Sequence, residues 1–301
     1  MKGSRGVMKF IRLYIKDQHY LKKVLMKLCP RLLTRILFYR TMGYWPDIDH
    51  PETFNEKIQW FKFHVRDPRI TRCADKLAVR AYVAEKVGGV YLIPLLGVYD
   101  SVDDIDLNAL PEEFVLKPNH SSGKVIICRD KSRINWSKAA DTMKNWLREN
   151  YYDLTGEWGY KDIVPKIVCE KLLHGDIVDY KFLCFDGQPV LANVIANRAG
   201  HHYDLYNVDM NFCCVQAEKQ KEFQQAFQRP RHWEGMIEMA KVLSKEFPFV
   251  RVDLYDLEGQ IYFGELTFSP ANGMADYFSK EWDIKLGKQY DLPKRGSIYV
   301  Y

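Results

Sequence analysis

Residues 251–270 read Arg-Val-Asp-Leu-Tyr-Asp-Leu-Glu-Gly-Gln-Ile-Tyr-Phe-Gly-Glu-Leu-Thr-Phe-Ser-Pro, and this stretch decides how the rest of the chain is read. Two apolar-rich runs, 250–255 and 261–268, flank Glu258-Gly259, the pattern expected of a β-hairpin. Side chains alternate along a strand, so Arg251 and Asp253 share one face, and Glu265 and Thr267 share a face of the partner strand. Whether those faces coincide depends on the turn. A loop with an odd number of residues centred on Gly259 sets Asp253 opposite Glu265 and Arg251 opposite Thr267. A two-residue turn sends the two acids to opposite faces. Carboxylates directly opposite one another repel unless a cation lies between them. Mg²⁺ accepts one or two protein carboxylates together with phosphate oxygens and water, and a neighbouring Arg offers a fork to a phosphoryl oxygen. Two readings stand: half of a Mg-nucleotide site, or a surface hairpin in which Arg251 neutralises Asp253.

Upstream, 114–117 and 125–128 form a second expected hairpin, joined by Pro118-Asn119-His120-Ser121-Ser122-Gly123-Lys124. A lysine at the end of an apolar strand (Lys117), followed by a small-residue loop, can present an ammonium and backbone N–H groups to phosphates. A simple turn fits the same residues. The spacing G-x-x-x-x-G-K-[ST] is absent, which argues against a Walker-type loop. A third run, Val168-Cys169-Glu170-Lys171-Leu172-Leu173, leads to Asp179-Tyr180-Lys181-Phe182. An apolar strand leaving a sheet can pair its backbone with an adenine edge, and Asp179 can hold ribose hydroxyls. Two ordinary sheet strands fit equally.

The remaining periodicities place helices over 54–63, with Thr53 and Glu56 at capping-box spacing, and over 75–86, closed by Gly88-Gly89. Further helices are expected over 136–150 and 233–247, and strands over 91–98, 167–173, 180–185 and 189–197. No internal repeat or low-complexity linker interrupts the chain, so the lobes are closely interleaved. His201-His202 with Asp204 is read as a loop, since adjacent strand residues face opposite ways and rarely share one ion; Cys213-Cys214 is read likewise. The seven cysteines include no C-x-x-C pair and read as small buried hydrophobes of a reducing compartment.

With 301 residues, 47% of them hydrophobic and 28% charged, the chain is ordinary for a globular protein. Its net charge of +5 conceals an asymmetry. Residues 1–45 carry 11 Lys/Arg against Asp17 alone, leaving 33 basic and 38 acidic residues in a mildly acidic body. That balance is against nucleic-acid binding. In the leading segment Leu21, Val24, Leu25, Leu28, Leu32 and Ile36 recur at helical spacing, with Lys22, Lys23 and Lys27 between them. Such a helix either lies on an anionic membrane surface or packs on the body. No apolar run reaches the roughly 20 residues of a spanning helix, and no secretory leader is visible. The expected location is cytoplasmic, peripheral at the inner face of the membrane on the first of these readings.

Taken in order, these blocks resemble the ATP-grasp superfamily of carboxylate–amine ligases, and within it the TupA-like ATP-grasp family of bacterial surface-polysaccharide proteins. The likeness rests on T-F-N-E-K-I-Q-W (53–60), A-D-K-L-A-V-R (74–80), Y-L-I-P-L-L-G-V-Y-D (91–100) and F-V-L-K-P-N-H-S-S-G (114–123). It continues in D-Y-K-F-L-C-F-D-G (179–187), F-P-F-V-R-V-D (247–253) and I-Y-F-G-E-L-T-F-S-P (261–270). The resemblance implies an α+β ATP-grasp fold in which two α/β lobes with antiparallel sheets clasp ATP. On that pattern the chain divides into the basic segment 1–45, an N-terminal α/β region 46–110, a first lobe 111–175 and a second lobe 176–301 with the metal site. It also implies ATP and Mg²⁺ as cofactors. Lys76 and Lys117 would contact phosphates, under a loop formed by Ser121, Ser122 and Gly123. Glu170 and Leu172 would lie by the adenine and Asp179 by the ribose, with Lys181 among the nucleotide contacts. Asp253 and Glu265 would ligate Mg²⁺, joined by Thr267, and Arg251 with Lys117 would steady the transferring phosphoryl group. The chain departs from the pattern twice: Ser-Ser-Gly replaces the usual Gly-Ser-Gly, and Thr267 replaces a common metal-binding Asn. The implied reaction activates a carboxylate as an acyl phosphate and joins it to an amine. Its implied substrates are an amino acid and a uronic-acid glycan, or a second amino acid. A glycosyltransferase, a kinase of a glycan hydroxyl and a non-catalytic membrane-associated scaffold are the alternatives.

Overall fold

Elements are numbered along the chain in the computed structural model, which describes residues 19–175, 177–196, 202–207 and 229–294. His201, Cys213 and Cys214 lie outside the described residues, as do residues 1–18 of the basic segment. The helices are α1 (His19–Leu28), α2 (Pro30–Met42), α3 (Phe54–His64), α4 (Pro68–Ala74), α5 (Val79–Lys86), α6 (Trp136–Arg148), α7 (Tyr152–Thr155), α8 (Trp233–Ser244) and α9 (Lys280–Gln289). The strands are β1 (Leu95–Tyr99), β2 (Phe114–Pro118), β3 (Ile126–Cys128), β4 (Ile167–Lys171), β5 (Asp179–Phe185), β6 (Gln188–Ala196), β7 (His202–Asn207), β8 (Phe249–Leu257) and β9 (Gln260–Thr267).

The strands make two antiparallel sheets, β1-β4-β2-β3 and β7-β6-β5-β8-β9. Each sheet buries one face under a helix, the expected solution for an amphipathic α+β chain. In the first sheet Phe114, Leu116, Cys128, Ile167 and Cys169 pack with Met143 and Trp146 of α6. In the second, Tyr180 and Phe182 pack on Trp233 of α8 with ring centroids 6.3 and 5.2 Å apart. The opposite face of the second sheet is apolar at one end, where Phe185 and Phe249 meet Phe54 of α3 at 6.0 and 5.0 Å. Towards its other end that face becomes polar. Helix α3 starts where Thr53 and Glu56 form the reciprocal capping box read from their spacing.

Several boundaries differ from the sequence reading. The strand expected over 91–98 begins at Leu95, because Gly89–Tyr91 closes a 3₁₀ turn and Pro94 brings no N–H to a ladder. The helix expected from residue 75 begins at Val79, since the Asp75 carboxylate accepts from the N–H groups of Leu77 and Ala78 and holds a turn there. Residues 202–207, read as a loop, form β7 and pair with β6 in the register Ala196↔His202 to Leu191↔Asn207. The basic segment does not continue as one helix: it breaks at Cys29-Pro30, as a proline requires. Its described part packs on the body, with Met26, Leu33 and Phe38 buried. Lys27 pairs with Asp153 at 3.3 Å, and Arg31 and Arg35 both reach Asp49, at 2.8 and 2.9 Å. Leu28 and Leu32 of the same helices are left 77% and 56% exposed. No helix among the described residues is long and apolar enough to cross a membrane.

Candidate active site

The polar end of the second sheet is built by the hairpin of β8 and β9. Its turn has two residues, Glu258 and Gly259, both in the left-handed region at φ 50° and 82°, the geometry that suits the twist of a tight hairpin. That turn alone would send the acids to opposite faces. The register shifts between Asp253 and Leu254, however: Leu254 pairs with Phe263 and Asp253 with Glu265, leaving Gly264 as the extra residue of a β-bulge. Asp253 therefore stands directly opposite Glu265, and Arg251 opposite Thr267. A side chain at position 264 would crowd the bulge, because a Cβ there would sit 3.0 Å from the Asp253 carbonyl oxygen and 3.1 Å from the Tyr255 hydroxyl.

Facing acids need cations, and three side chains of the chain supply them. The Arg251 guanidinium donates to both Asp253 oxygens at 2.7 Å, to Glu265 at 3.2 Å and to the Thr267 hydroxyl at 3.1 Å. Lys181, beside Asp253 on β5, reaches it at 2.5 Å and lies 3.7 Å from Asp179. Lys76 lies 3.7 Å from Glu265. Burial would raise the Glu265 carboxyl, but Lys76, Arg251 and Lys181 together hold it down at about 2. The Arg251 guanidinium loses stability by burial, and the Asp253 and Glu265 carboxylates more than compensate, so its pKa is raised.

The first sheet turns its open face to this cluster. Ladder partners place Lys117, Val115, Val168 and Glu170 on that face with Leu95, Val98 and Ile127. Lys117 pairs with Glu170 at 2.5 Å, and Arg80 of α5 reaches the same carboxylate at 3.3 Å. Leu95, Val98 and Ile127 are 39%, 36% and 49% exposed, an apolar shelf beside charged groups that suits a planar base above a phosphate chain. Leu172, just beyond β4, is buried. Lys76 joins the two sheets: its ammonium donates to the Ser121 carbonyl at 2.5 Å while facing Glu265. Burial lowers the Lys76 pKa, with the Lys117 charge acting the same way and Glu265 and Glu170 opposing. In the connecting loop Ser121 is buried, whereas Ser122 and Gly123 are exposed, Gly123 at φ 72°.

A family model for TupA-like ATP-grasp proteins matches residues 56–291. The chain belongs to the TupA-like ATP-grasp family. Its fold is the α+β ATP-grasp fold, and ATP with Mg²⁺ is the cofactor pair of that family. Solved structures similar to it include a D-alanine–D-alanine ligase from Bacillus anthracis complexed with ATP, at 18% identity and TM-score 0.44, covering 72% of this chain and 61% of that one. An L-amino acid ligase from Bacillus licheniformis gives 13% identity and TM-score 0.48, covering 78% and 50%. An N5-carboxyaminoimidazole synthetase from Staphylococcus aureus complexed with ADP gives 13% identity and TM-score 0.37, covering 74% and 53%. The chain thus spans about 50–61% of the length of these proteins. No curated protein matches it by sequence.

For an ATP-grasp protein the donor set suits Mg²⁺. Asp253 and Glu265 are hard oxygen ligands on one face, and one or two carboxylates with phosphate oxygens and water complete its octahedron. The chain's own cations hold those acids together, and a divalent ion could take that role. Three contributors escaped the sequence reading. Arg80 bonds Glu170 from a helix whose face had no marked pattern. Tyr151, near the loop, has its hydroxyl pKa pushed up by burial, with Ser122 acting to lower it. Asn193 lies opposite Lys181 in the ladder, 4% exposed, and its side-chain oxygen has no partner among the described residues. Only the alternation of β6 with β5 could have drawn attention to Asn193.

Proposed function

We propose that the chain is an ATP-dependent carboxylate–amine ligase. The observation that carries the reading is the pairing of Asp253 with Glu265 across the bulged hairpin, with Lys76 reaching from Glu265 to the loop over the first sheet. Asp253 and Glu265, with the Thr267 hydroxyl, would hold Mg²⁺, and the ion would supply charge neutralisation for the phosphates. Arg251, Lys181 and Lys76, relieved of their carboxylates, turn to phosphate oxygens; Lys117 meets the phosphate chain from the first sheet. Ser121, Ser122 and Gly123 close over it. Glu170 and Leu172 flank the adenine, and Asp179 accepts from the ribose hydroxyls. A substrate carboxylate attacks the γ-phosphorus in line, and ADP leaves with the bond's electron pair. An amine then displaces phosphate from the acyl phosphate, giving an amide.

The substrates we assign are an amino acid and a uronic-acid carboxylate, or a second amino acid, in the making of a bacterial surface polysaccharide. We place the enzyme in the cytoplasm, near the anionic inner leaflet through residues 1–45. Positional isotope exchange in ¹⁸O-labelled ATP, run with uronic acids and amino acids as candidate carboxylates, tests the first step. Scrambling is expected only when a carboxylate is present, and Asp253→Asn or Glu265→Gln is expected to lower turnover by about 10²–10³-fold, as for loss of a preorganised charge-stabilising group. Scrambling that ignores the carboxylate, or a phosphoester product in place of an amide, would overturn the ligase and favour a kinase.

A further inference from the structure

A row of four polar side chains crosses the second sheet. Asn193 on β6 stands opposite Lys181 on β5, Lys181 opposite Asp253 on β8, and Asp253 opposite Glu265 on β9. Directly opposed residues of an antiparallel sheet turn their side chains to one face, about 4.5–5.5 Å apart. The Lys181 ammonium therefore has an acceptor on either side. One is engaged, since Lys181 reaches Asp253 Oδ2 at 2.5 Å. The other is not: Asn193 is buried, and its Oδ1 has no hydrogen-bond partner among the described residues. Leu191 and Ile195 flank it on its own strand face, and Leu205 is its ladder partner on β7; none of these carries a side-chain donor. A bond left unmade at a buried amide oxygen is costly, and Lys181 is the directly opposed residue able to make it.

The cations on Asp253 stand where a metal would need to bind. Arg251 donates to both carboxylate oxygens at 2.7 Å, and Lys181 adds a second contact to Oδ2. A divalent ion and an ammonium bonded to one oxygen would lie a few ångströms apart, where like charges repel strongly in a buried site. One of the chain's own cations has to give way. Arg251 has no second acceptor across the sheet, because its row runs on through Leu183 and Leu191. Its fork is also tied to Glu265 and Thr267, at 3.2 and 3.1 Å. Lys181 sits on a flexible stem, and its row leads to the unpaired oxygen.

We propose that Asn193 is a positioning residue for the metal site, receiving the Lys181 ammonium when Asp253 takes a divalent ion. The inference rests on the nucleotide-site part of the ligase reading. Turning one N–H from Asp253 to Asn193 frees Oδ2, satisfies the buried amide oxygen and leaves the other N–H groups of Lys181 for phosphate oxygens. Lys181 thus neutralises the acid until the ion replaces it, and Asn193 lowers the cost of the exchange. Asp179, 3.7 Å from the ammonium, lies along β5 and not across it. Were Asp179 the receiver, the side chain at 193 would not matter.

The test is Mn²⁺ binding to the full chain, with and without ADP, read by electron paramagnetic resonance. Asn193→Leu keeps the side chain's size and removes the oxygen. It is expected to weaken Mn²⁺ in the presence of ADP about tenfold, the loss of one hydrogen bond to a charged group. Its thermal midpoint without Mn²⁺ is expected not to fall, since an apolar group replaces an unpaired acceptor. Lys181→Met is expected to bind Mn²⁺ without ADP about tenfold more tightly than the unaltered chain. Adding Asn193→Leu to Lys181→Met should then change Mn²⁺ affinity by no more than about twofold, because the group that Asn193 serves is gone. A crystal structure of the unaltered chain with ADP and Mn²⁺ needs no variant to fold, and should place Lys181 Nζ within hydrogen-bonding distance of Asn193 Oδ1. An ammonium that stays on Asp253 or turns only to Asp179, or an Asn193→Leu effect that is the same with and without Lys181, would overturn the assignment while the nucleotide site stands. Failure of the unaltered chain to bind ADP and Mn²⁺ at all would instead overturn the nucleotide site, and this exchange with it.

Discussion

Glu265 is held ionised by its neighbours against its own burial. Its carboxyl sits at about 2 where 4.5 is ordinary, because Lys76, Arg251 and Lys181 outweigh desolvation. A depressed acid contributes stability that is complete above its unfolded value and is lost as pH falls through the folded one. The difference corresponds to at most about 3.5 kcal/mol, at roughly 1.4 kcal/mol for each pH unit. Without divalent ions, the unaltered chain should therefore lose stability as pH drops from about 4.5 towards about 2. Glu265→Gln should be less stable near neutrality, because three buried cations lose a partner, and should show a flatter acid limb. Urea unfolding at several pH values between 3 and 7 checks both; parallel limbs for the two proteins would mean Glu265 is not the group responsible.

The hairpin of β8 and β9 shows what is and is not legible at the level of an element. The alternation of Arg251-Asp253 and of Glu265-Thr267 was plain from residue order, and so was the turn at Glu258-Gly259. Which faces met was not, since a two-residue turn and a bulge each invert the register and together restore it. Nothing in Phe263-Gly264-Glu265 announces a bulge except the glycine, whose need is steric and lies in the partner strand's carbonyl. The same limit hid β7: its pairing with β6 is a long-range fact, while the local eye falls on two adjacent histidines. Asn193 was invisible because a lone polar residue in an apolar strand acquires meaning only from Lys181 across the ladder. Gly264→Val should cost about 1–3 kcal/mol through overpacking and should also weaken Mn²⁺ binding read by electron paramagnetic resonance. Gly259→Ala, with open space around it but φ 82°, should cost about 1 kcal/mol and leave the metal alone. Equal metal affinity in the Gly264 variant would show that the bulge does not set the acids' alignment.

Across the whole molecule the charges are sorted by place: a basic leading segment, a mildly acidic body, and at their centre Lys76 tying the two sheets together. Part of the leading charge is spent internally, because Lys27, Arg31 and Arg35 pair with Asp153 and Asp49 of the body. Those helices nonetheless leave Leu28 and Leu32 largely exposed beside lysines, and residues 1–18 add Lys2, Arg5, Lys9, Arg12 and Lys16 to the same end. Apolar side chains within a basic stretch bind anionic lipid by insertion and by charge, at about 1 kcal/mol for each basic residue near the surface. The full chain should float with vesicles containing phosphatidylglycerol and stay behind with pure phosphatidylcholine. Raising the salt from 0.1 to 0.5 M should release most of it, since screening shortens the reach of surface charge. Leu28→Glu with Leu32→Glu should reduce flotation at low salt without changing ADP affinity, because neither residue contributes to the nucleotide site. Flotation that ignores lipid charge, or none at all, would confine the leading helices to their packing role and leave the placement near the membrane without support.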